Sequence, residues 1–189
     1  MPRNPTETKF NILHSARSLF SNYGFTAASL DDILSASGVT KGGFYHYFRG
    51  KDHLCEILLK EVVEEYKVLA ETVDLSQPAE AQLKQWLTLL IDKNSSGQWV
   101  NCRFITRLSV QIQLLSPELQ NHLLDYWQWY EGLYQQWLSG CGLSAENAKL
   151  SARTLIGTMF GIIWLDKCTS NCLSPADVIS HQLRLILDR

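Results

Sequence analysis

Between Thr40 and Lys51 the sequence crowds Thr40, Lys41, Tyr45, His46, Tyr47, Arg49 and Lys51 into twelve residues, with Gly42 and Gly43 among them. Hydroxyl, imidazole and cationic groups are the donors that hold phosphate oxygens, and glycine lets a backbone amide come close to one. The chemistry this pattern offers is recognition of a polyanion. Presenting it to a DNA groove takes two short helices joined by a tight turn, and Gly38-Val39 ahead of Thr40-Lys41 supplies such a turn. An αα-hairpin packed in a bundle is the competing reading of the same residues.

Charge at first argues the other way. The 189 residues carry 17 Lys+Arg against 19 Asp+Glu, a net −2. The distribution is uneven: from Met1 to His53 six basic side chains stand against four acidic ones, so this part is +2 and the remainder −4. All six tryptophans lie beyond residue 85. The two parts differ in composition, which predicts a small module over residues 1–53 and a larger aromatic-rich body over 54–189.

Several function classes are excluded or disfavoured. Hydrophobic residues at 46% and charged residues at 19% suit a globular chain and not a disordered one. The longest uncharged stretch of the apolar C-terminal part, Thr154 to Leu165, is short of the roughly 20 residues a membrane span needs. The N-terminus has no apolar signal core, so a cytoplasmic protein without a membrane partner is expected. The five cysteines, Cys55, Cys102, Cys141, Cys168 and Cys172, show no repeated C-x-x-C spacing and predict free thiols. Cys168 and Cys172 are four apart, but Thr169-Ser170-Asn171 between them reads as a helix end, so no metal is expected. A bundle enzyme of the di-iron type needs Glu-x-x-His pairs, and no Glu here has His three positions later. No H-E-x-x-H, phosphate-binding loop or G-x-G-x-x-G occurs either, so neither an enzyme nor a cofactor is expected.

The elements that position the cluster follow from apolar spacing and from helix punctuation. Phe10, Leu13, Ala16, Phe20 and Tyr23 recur at three and four residues, with Gly24 as a left-handed cap. Ser29 opens a short second helix with acidic Asp32 three residues on, and Gly38 closes it. A third segment spans about Thr40 to Phe48, and Leu54 to Val73 mark a long fourth helix after Gly50-Lys51-Asp52. Downstream helices are predicted near Pro78 to Lys93, Cys102 to Leu114, Pro117 to Leu138, Ala145 to Lys167 and Pro175 to Leu187, with proline at or next to several starts. No period-two alternation argues for strands. The fold class is therefore all-α, with about nine helices: an N-terminal three-helix helix-turn-helix DNA-binding domain and a C-terminal helical bundle.

The ordered runs FNILHSARSLFSNYGF and SLDDILSASGVTKGGFYHYFRGKDHL resemble the DNA-binding domain of the TetR family of transcriptional regulators across roughly residues 6 to 54. Gly24, Ile33, Gly38-Val39, Lys41-Gly42, Phe44-Tyr45, Phe48, Lys51 and Leu54 stand in one register with that pattern. The resemblance implies that Thr40, Lys41, Gly42 and Gly43 open the recognition helix with side chains or amides facing DNA. It implies that Tyr45, His46 and Tyr47 face base edges or phosphates, that Lys51 adds a phosphate contact, and that Ser29 caps the second helix beside the DNA backbone. Phe20, Ile33, Leu34, Val39, Phe44, Phe48 and Leu54 are its core. Two positions depart from the pattern: Gly43 stands where the family often has Thr, Ser or Ala, and Gly50 replaces a frequent Ser cap.

In that family the remaining chain binds a small effector and dimerises, and the implied partners are a double-stranded, palindromic DNA operator, a second copy of the chain and an unidentified small molecule. Trp86, Trp99, Phe104, Tyr126, Trp127, Tyr130, Tyr134 and Trp164, with Cys102 and Arg107, are candidate pocket residues; the alternative is that these aromatics are plain core. Arg103 and Arg107, one turn apart, suit an anionic ligand or a solvated face. Cys102 at a helix start beside Arg103 has surroundings that favour thiolate. It carries the alternative function, the same DNA-binding role switched by oxidation or electrophile modification. Leu155, Gly157, Phe160 and Gly161 on one predicted helix, and Leu183 and Leu187 on the last, are candidate dimer residues, with packing inside one chain as the alternative.

Overall fold

The computed structural model describes residues 5–96, 100–168 and 174–187, with 163–168 as backbone alone. Nine α-helices occur among them: α1 (Pro5–Tyr23), α2 (Leu30–Ser37), α3 (Lys41–Tyr45), α4 (Lys51–Glu71), α5 (Ala79–Ser95), α6 (Asn101–Val110), α7 (Pro117–Gly140), α8 (Ala145–Cys168) and α9 (Pro175–Leu187). A short 3-10 turn covers Ile112–Leu114, and the described residues contain no strand. The all-α reading and the helix order stand. None of the described helices is long and apolar enough to cross a membrane.

Proline fixes several starts. Pro5, Pro117 and Pro175 are the first residues of α1, α7 and α9, and Ala79 opens α5 directly after Pro78. The missing proline N–H costs nothing where no intrahelical acceptor exists. Ser116 and Ser144 accept amides three residues on, from Leu119 and Asn147, at the starts of α7 and α8.

The chain divides into two compact units, one of residues 1–65 and 100–125, the other of residues 66–99 and 126–189. The unit that contains residues 1–53 thus also takes in 54–65 and 100–125. Within it α1 packs on α2 and α6, burying Ile12, Ala16, Phe20, Phe25, Ile33, Val39, Phe44, Phe48, Leu54, Leu58, Phe104 and Leu108. Leu34 is only half-buried and Phe10 and Tyr23 are both 63% exposed, because the face of α1 turned inward runs through Ile12, Ala16 and Phe20.

Predicted and observed bounds differ in two informative places. Thr40 is the N-cap of α3, its Oγ1 accepting the Gly43 amide at 3.2 Å, so the helix begins at Lys41. With two glycines in its first turn it ends after five residues. The segment read as Cys102 to Leu114 breaks after Val110, because the Gln111 side chain turns to the α1–α2 loop. Its Oε1 accepts the Thr26 amide at 3.2 Å, and its amide group sits where a Cβ on Gly24 would be, 2.9 Å away. Gly24 has φ +88°, a conformation that only glycine adopts without strain.

An ion-pair network ties the same unit together. Glu65 of α4 accepts Arg17 of α1 at 2.7 Å through one carboxylate oxygen and the buried Asn101 side chain of α6 at 2.8 Å through the other. In the second unit α9 packs on α5 and α8. Its core holds Tyr66, Leu83, Trp86, Leu90, Tyr126, Tyr130, Tyr134, Trp137, Ala148, Ala152, Leu155 and Met159.

Candidate nucleic-acid interface and effector residues

The turn that presents α3 is built by caps on both sides of it. Ser29 and Asp32 form a reciprocal capping box: Ser29 Oγ accepts the Asp32 amide at 3.1 Å, while the Asp32 carboxylate accepts the Ser29 amide at 2.9 Å and its hydroxyl at 2.6 Å. The Ser29 hydroxyl and then its amide hold the Asp32 carboxyl below the usual carboxylate range. Gly38 closes α2 at φ +62°, its amide reaching back to carbonyls of the last turn. Val39 and Phe44 are buried beneath the turn, so the chain crosses from α2 to α3 with its polar side chains outward.

The expected recognition residues occupy one short exposed stretch. Thr40, Lys41, Gly42, Tyr45 and His46 are exposed, and Gly43 and Tyr47 are half-buried. Tyr45 sits edge-on to the buried Phe44, ring centroids 5.3 Å apart, and the rings of His46 and Tyr47 meet edge-on at 4.9 Å. Phe44 and Phe48 under them stack into the core at 5.4 Å, which fixes the direction of the outer rings. At Gly43 an added Cβ would lie 3.0 Å from Val39 Cγ1, a tight fit, whereas nothing lies within 4 Å at Gly42. Ser29, at the start of α2, uses its side chain within its own cap.

Lys51 has a second task that spacing alone did not disclose. Its ammonium donates to the carbonyls of Phe25 and Ala28, at 2.9 and 3.1 Å, and lies 4.4 Å from the centroid of the Phe25 ring. The first residue of α4 therefore pins the α1–α2 loop, using two of the three ammonium hydrogens. His53 is the other residue sequence reasoning passed over. With no side chain at Gly50 to cap α4, the imidazole Nδ1 of His53 accepts the Arg49 amide at 3.2 Å. The signal was present as a histidine three residues after a cap position occupied by glycine.

The candidate effector residues fall in different units. Trp86, Tyr126, Trp127, Tyr130 and Tyr134 belong to the second unit, where Tyr130 meets Tyr66, Trp86, Tyr126 and Tyr134 at centroid distances between 5.2 and 6.1 Å. Cys102, Phe104 and Arg107 belong to the first. Phe104 is fully buried beside Phe20, and Arg107 and Arg103 donate to the Asn22 carbonyl and side chain at the end of α1. The arginine pair thus ties α6 to the end of α1. Cys102 is 3% exposed, which removes the access that an oxidant sensor needs, and the oxidation-switched alternative is not favoured. Trp99 lies outside the described residues, as does the side chain of Trp164.

The candidate dimer residues also separate. Ala148, Ala152, Leu155, Met159 and Ile162 form the buried stripe of α8, so Leu155 faces its own chain. Phe160 packs edge-on against Trp127 at 5.4 Å. Leu183 and Leu187 line a cavity of about 380 Å³ with Leu87, Ile91 and Ile179 between α5 and α9. Gly157 and Gly161 are exposed, with nothing described within 4 Å of where a Cβ would stand. Among the described residues no group of three or more His, Cys, Asp or Glu side chains is placed to hold a metal ion.

Residues 12–57 match the family described as bacterial regulatory proteins, tetR family. Over its whole length the chain is similar to the HTH-type transcriptional regulator YxaF of Bacillus subtilis (strain 168), 27% identical over 188 residues that cover 96% of this chain and 95% of that one. Transposon Tn10 TetC protein of Escherichia coli is 32% identical over 92 residues, 46% of each chain. The fold is that of a TetR transcriptional regulator from Legionella pneumophila, at TM-score 0.80 and 18% identity with 98% and 99% of the two chains covered. It is likewise that of the regulatory protein TetR from Rhodobacter sphaeroides, at TM-score 0.76 and 18% identity with 95% and 96% covered.

Proposed function

We propose that this chain, which belongs to the TetR family of bacterial transcriptional regulators, is a homodimeric repressor that a small molecule bound in the second unit releases from a palindromic operator. Its relatives are regulators and not enzymes, and the DNA-binding role rests on the family match over residues 12–57. The observation that carries the reading is the exposed row Thr40, Lys41, Gly42, Tyr45 and His46 standing on a buried Val39–Phe44–Phe48 floor. Such a rigid, shallow helix start suits the major groove, with Thr40, Lys41 and the Gly42 and Gly43 amides toward the DNA. Tyr45, His46 and Tyr47 reach bases or phosphates, and the remaining Lys51 hydrogen is available to a phosphate beside the positive end of α4.

One recognition helix makes too few contacts for a specific site, so two copies reading half-sites one DNA turn apart are the expected unit. The bare Gly157 and Gly161 face of α8 supports a close helix contact between copies. Effector release requires that the ligand bind the two arrangements of the recognition helices with different affinity, through a tilt of α4.

The test is binding to the DNA upstream of the chain's own gene against random duplex of equal length, at moderate salt. Preference for the upstream duplex with two chains per site supports the reading, and equal affinity for both duplexes overturns it. Tyr45→Phe is expected to weaken both duplexes alike at an unchanged salt slope, because a neutral hydroxyl contact to phosphate releases no counterion. A changed base preference in that variant would instead place Tyr45 on a base edge.

A further inference from the structure

The aromatic core of the second unit holds a buried indole N–H that its surroundings do not serve. Trp86 is fully buried, its ring 6.1 Å from Tyr130 and 6.0 Å from Trp137, and its indole N–H has no hydrogen-bond partner among the described residues. Its neighbours are better provided. Trp137 donates its own indole N–H to Gln82 Oε1 at 2.9 Å, and the hydroxyls of Tyr130 and Tyr134 share a hydrogen bond at 3.2 Å. Buried donors are almost always paired, and an exception inside a well-packed region calls for a partner that arrives from outside.

The neighbourhood restricts what that partner is. The rings that meet Trp86 belong to Tyr130 and Trp137, and Tyr130 in turn meets Tyr66, Tyr126 and Tyr134; none of these side chains offers a positive charge to balance a buried carboxylate or phosphate. Ring faces and edges at 5–6 Å reward a flat aromatic guest with the same offset and edge-on contacts they make to one another. The unserved indole donor asks for an acceptor oxygen.

We propose that Trp86 Nε1 is the polar anchor of the effector site and donates to a carbonyl or ether oxygen of an uncharged, planar aromatic ligand seated among these rings. This rests on the reading of the second unit as the effector-binding one, and it names the chemistry of that effector. Because the rings touch one another, such a ligand enters only by separating them, so it binds the separated arrangement and not the closed one. That differential affinity is what a releasing ligand needs.

Two probes of the same shape test it on the full chain by calorimetric titration: fluorenone, which carries a carbonyl acceptor, and fluorene, which lacks one. Fluorenone is expected to bind about tenfold tighter, the scale of one buried hydrogen bond. Trp86→Phe keeps a buried ring, removes the N–H and brings the two affinities together. If that variant fails to fold, the wild-type ratio decides alone. Equal affinities in the wild type, no fluorenone binding, an unchanged ratio in a folded Trp86→Phe, or tighter binding of fluorene carboxylate than of fluorenone each overturn the assignment. Operator binding, followed separately by anisotropy of labelled upstream DNA, keeps the two readings apart. Its loss overturns the repressor role and leaves the ratio standing, whereas failure of the ratio with operator preference intact overturns the anchor alone.

Discussion

The helix-turn-helix segment and the aromatic body hold their polar groups by opposite means. In the segment, partners sit three residues apart: Ser29 with Asp32 and Thr40 with Gly43. In the body, beside local pairs such as Tyr130 with Tyr134, some are distant: Trp137 meets Gln82 across 55 positions and Arg153 meets Glu131 across 22. The first arrangement is written in short patterns and sits on the surface. The second exists only once the helices have packed, and it depends on burial of large rings. Local perturbations should therefore cost the segment little and the body much.

The largest effect is expected in the body. Tyr130→Ala removes a ring that touches Tyr66, Trp86, Tyr126 and Tyr134, and should cost about 3–5 kcal/mol. Trp86, Trp127, Trp129 and Trp137 belong to the second unit, so the urea transition followed by tryptophan emission reports that loss, and an unshifted midpoint would remove Tyr130 from the core. Next comes Gly24→Ala. A side chain at φ +88° costs about 1–2 kcal/mol before the Gln111 amide 2.9 Å away is displaced. Circular dichroism should register it more strongly than tryptophan emission does, and equal shifts by both probes would show that the two units unfold together.

Two smaller effects belong to the segment. Asp32 is held ionised by Ser29, so its folded value lies below the unfolded one of about 3.9. The box stabilises above the unfolded value and is lost as pH falls through the folded one. Asp32→Asn should therefore lower the melting temperature at neutral pH, and the gap from wild type should close as the solution is taken through the acid range. A gap that persists in acid would place the effect elsewhere. Gly42→Ala, with open space around the position, should raise stability by about 0.5–1 kcal/mol, read as a higher urea midpoint. A lower midpoint would show that the backbone at Gly42 is strained for other residues.

What could be read in advance follows the same divide. Gly38 and Ser29 announced their caps because capping is a property of four neighbouring residues. The break of α6 after Val110 was not legible, since Gln111 is drawn to Thr26 by a contact across 85 positions. The pinning role of Lys51 depends on carbonyls 23 and 26 residues upstream and escaped for the same reason. Among the aromatics the residue types were visible, but periodicity gave both faces of α7 rings and no means to assign them to one unit or the other. The acceptors of the arginine pair lie on α1, which no spacing within α6 reveals.

The seating of Gln111 over Gly24 bears on modularity. A graft that moves only the first four helices to a new body would leave Gly24 uncovered, the Thr26 amide without its acceptor and Phe20 without Phe104. The head is discontinuous along the chain, stitched shut by residues from beyond position 100. A working chimera must inherit both stretches, so the head is transplantable as two segments and not as one.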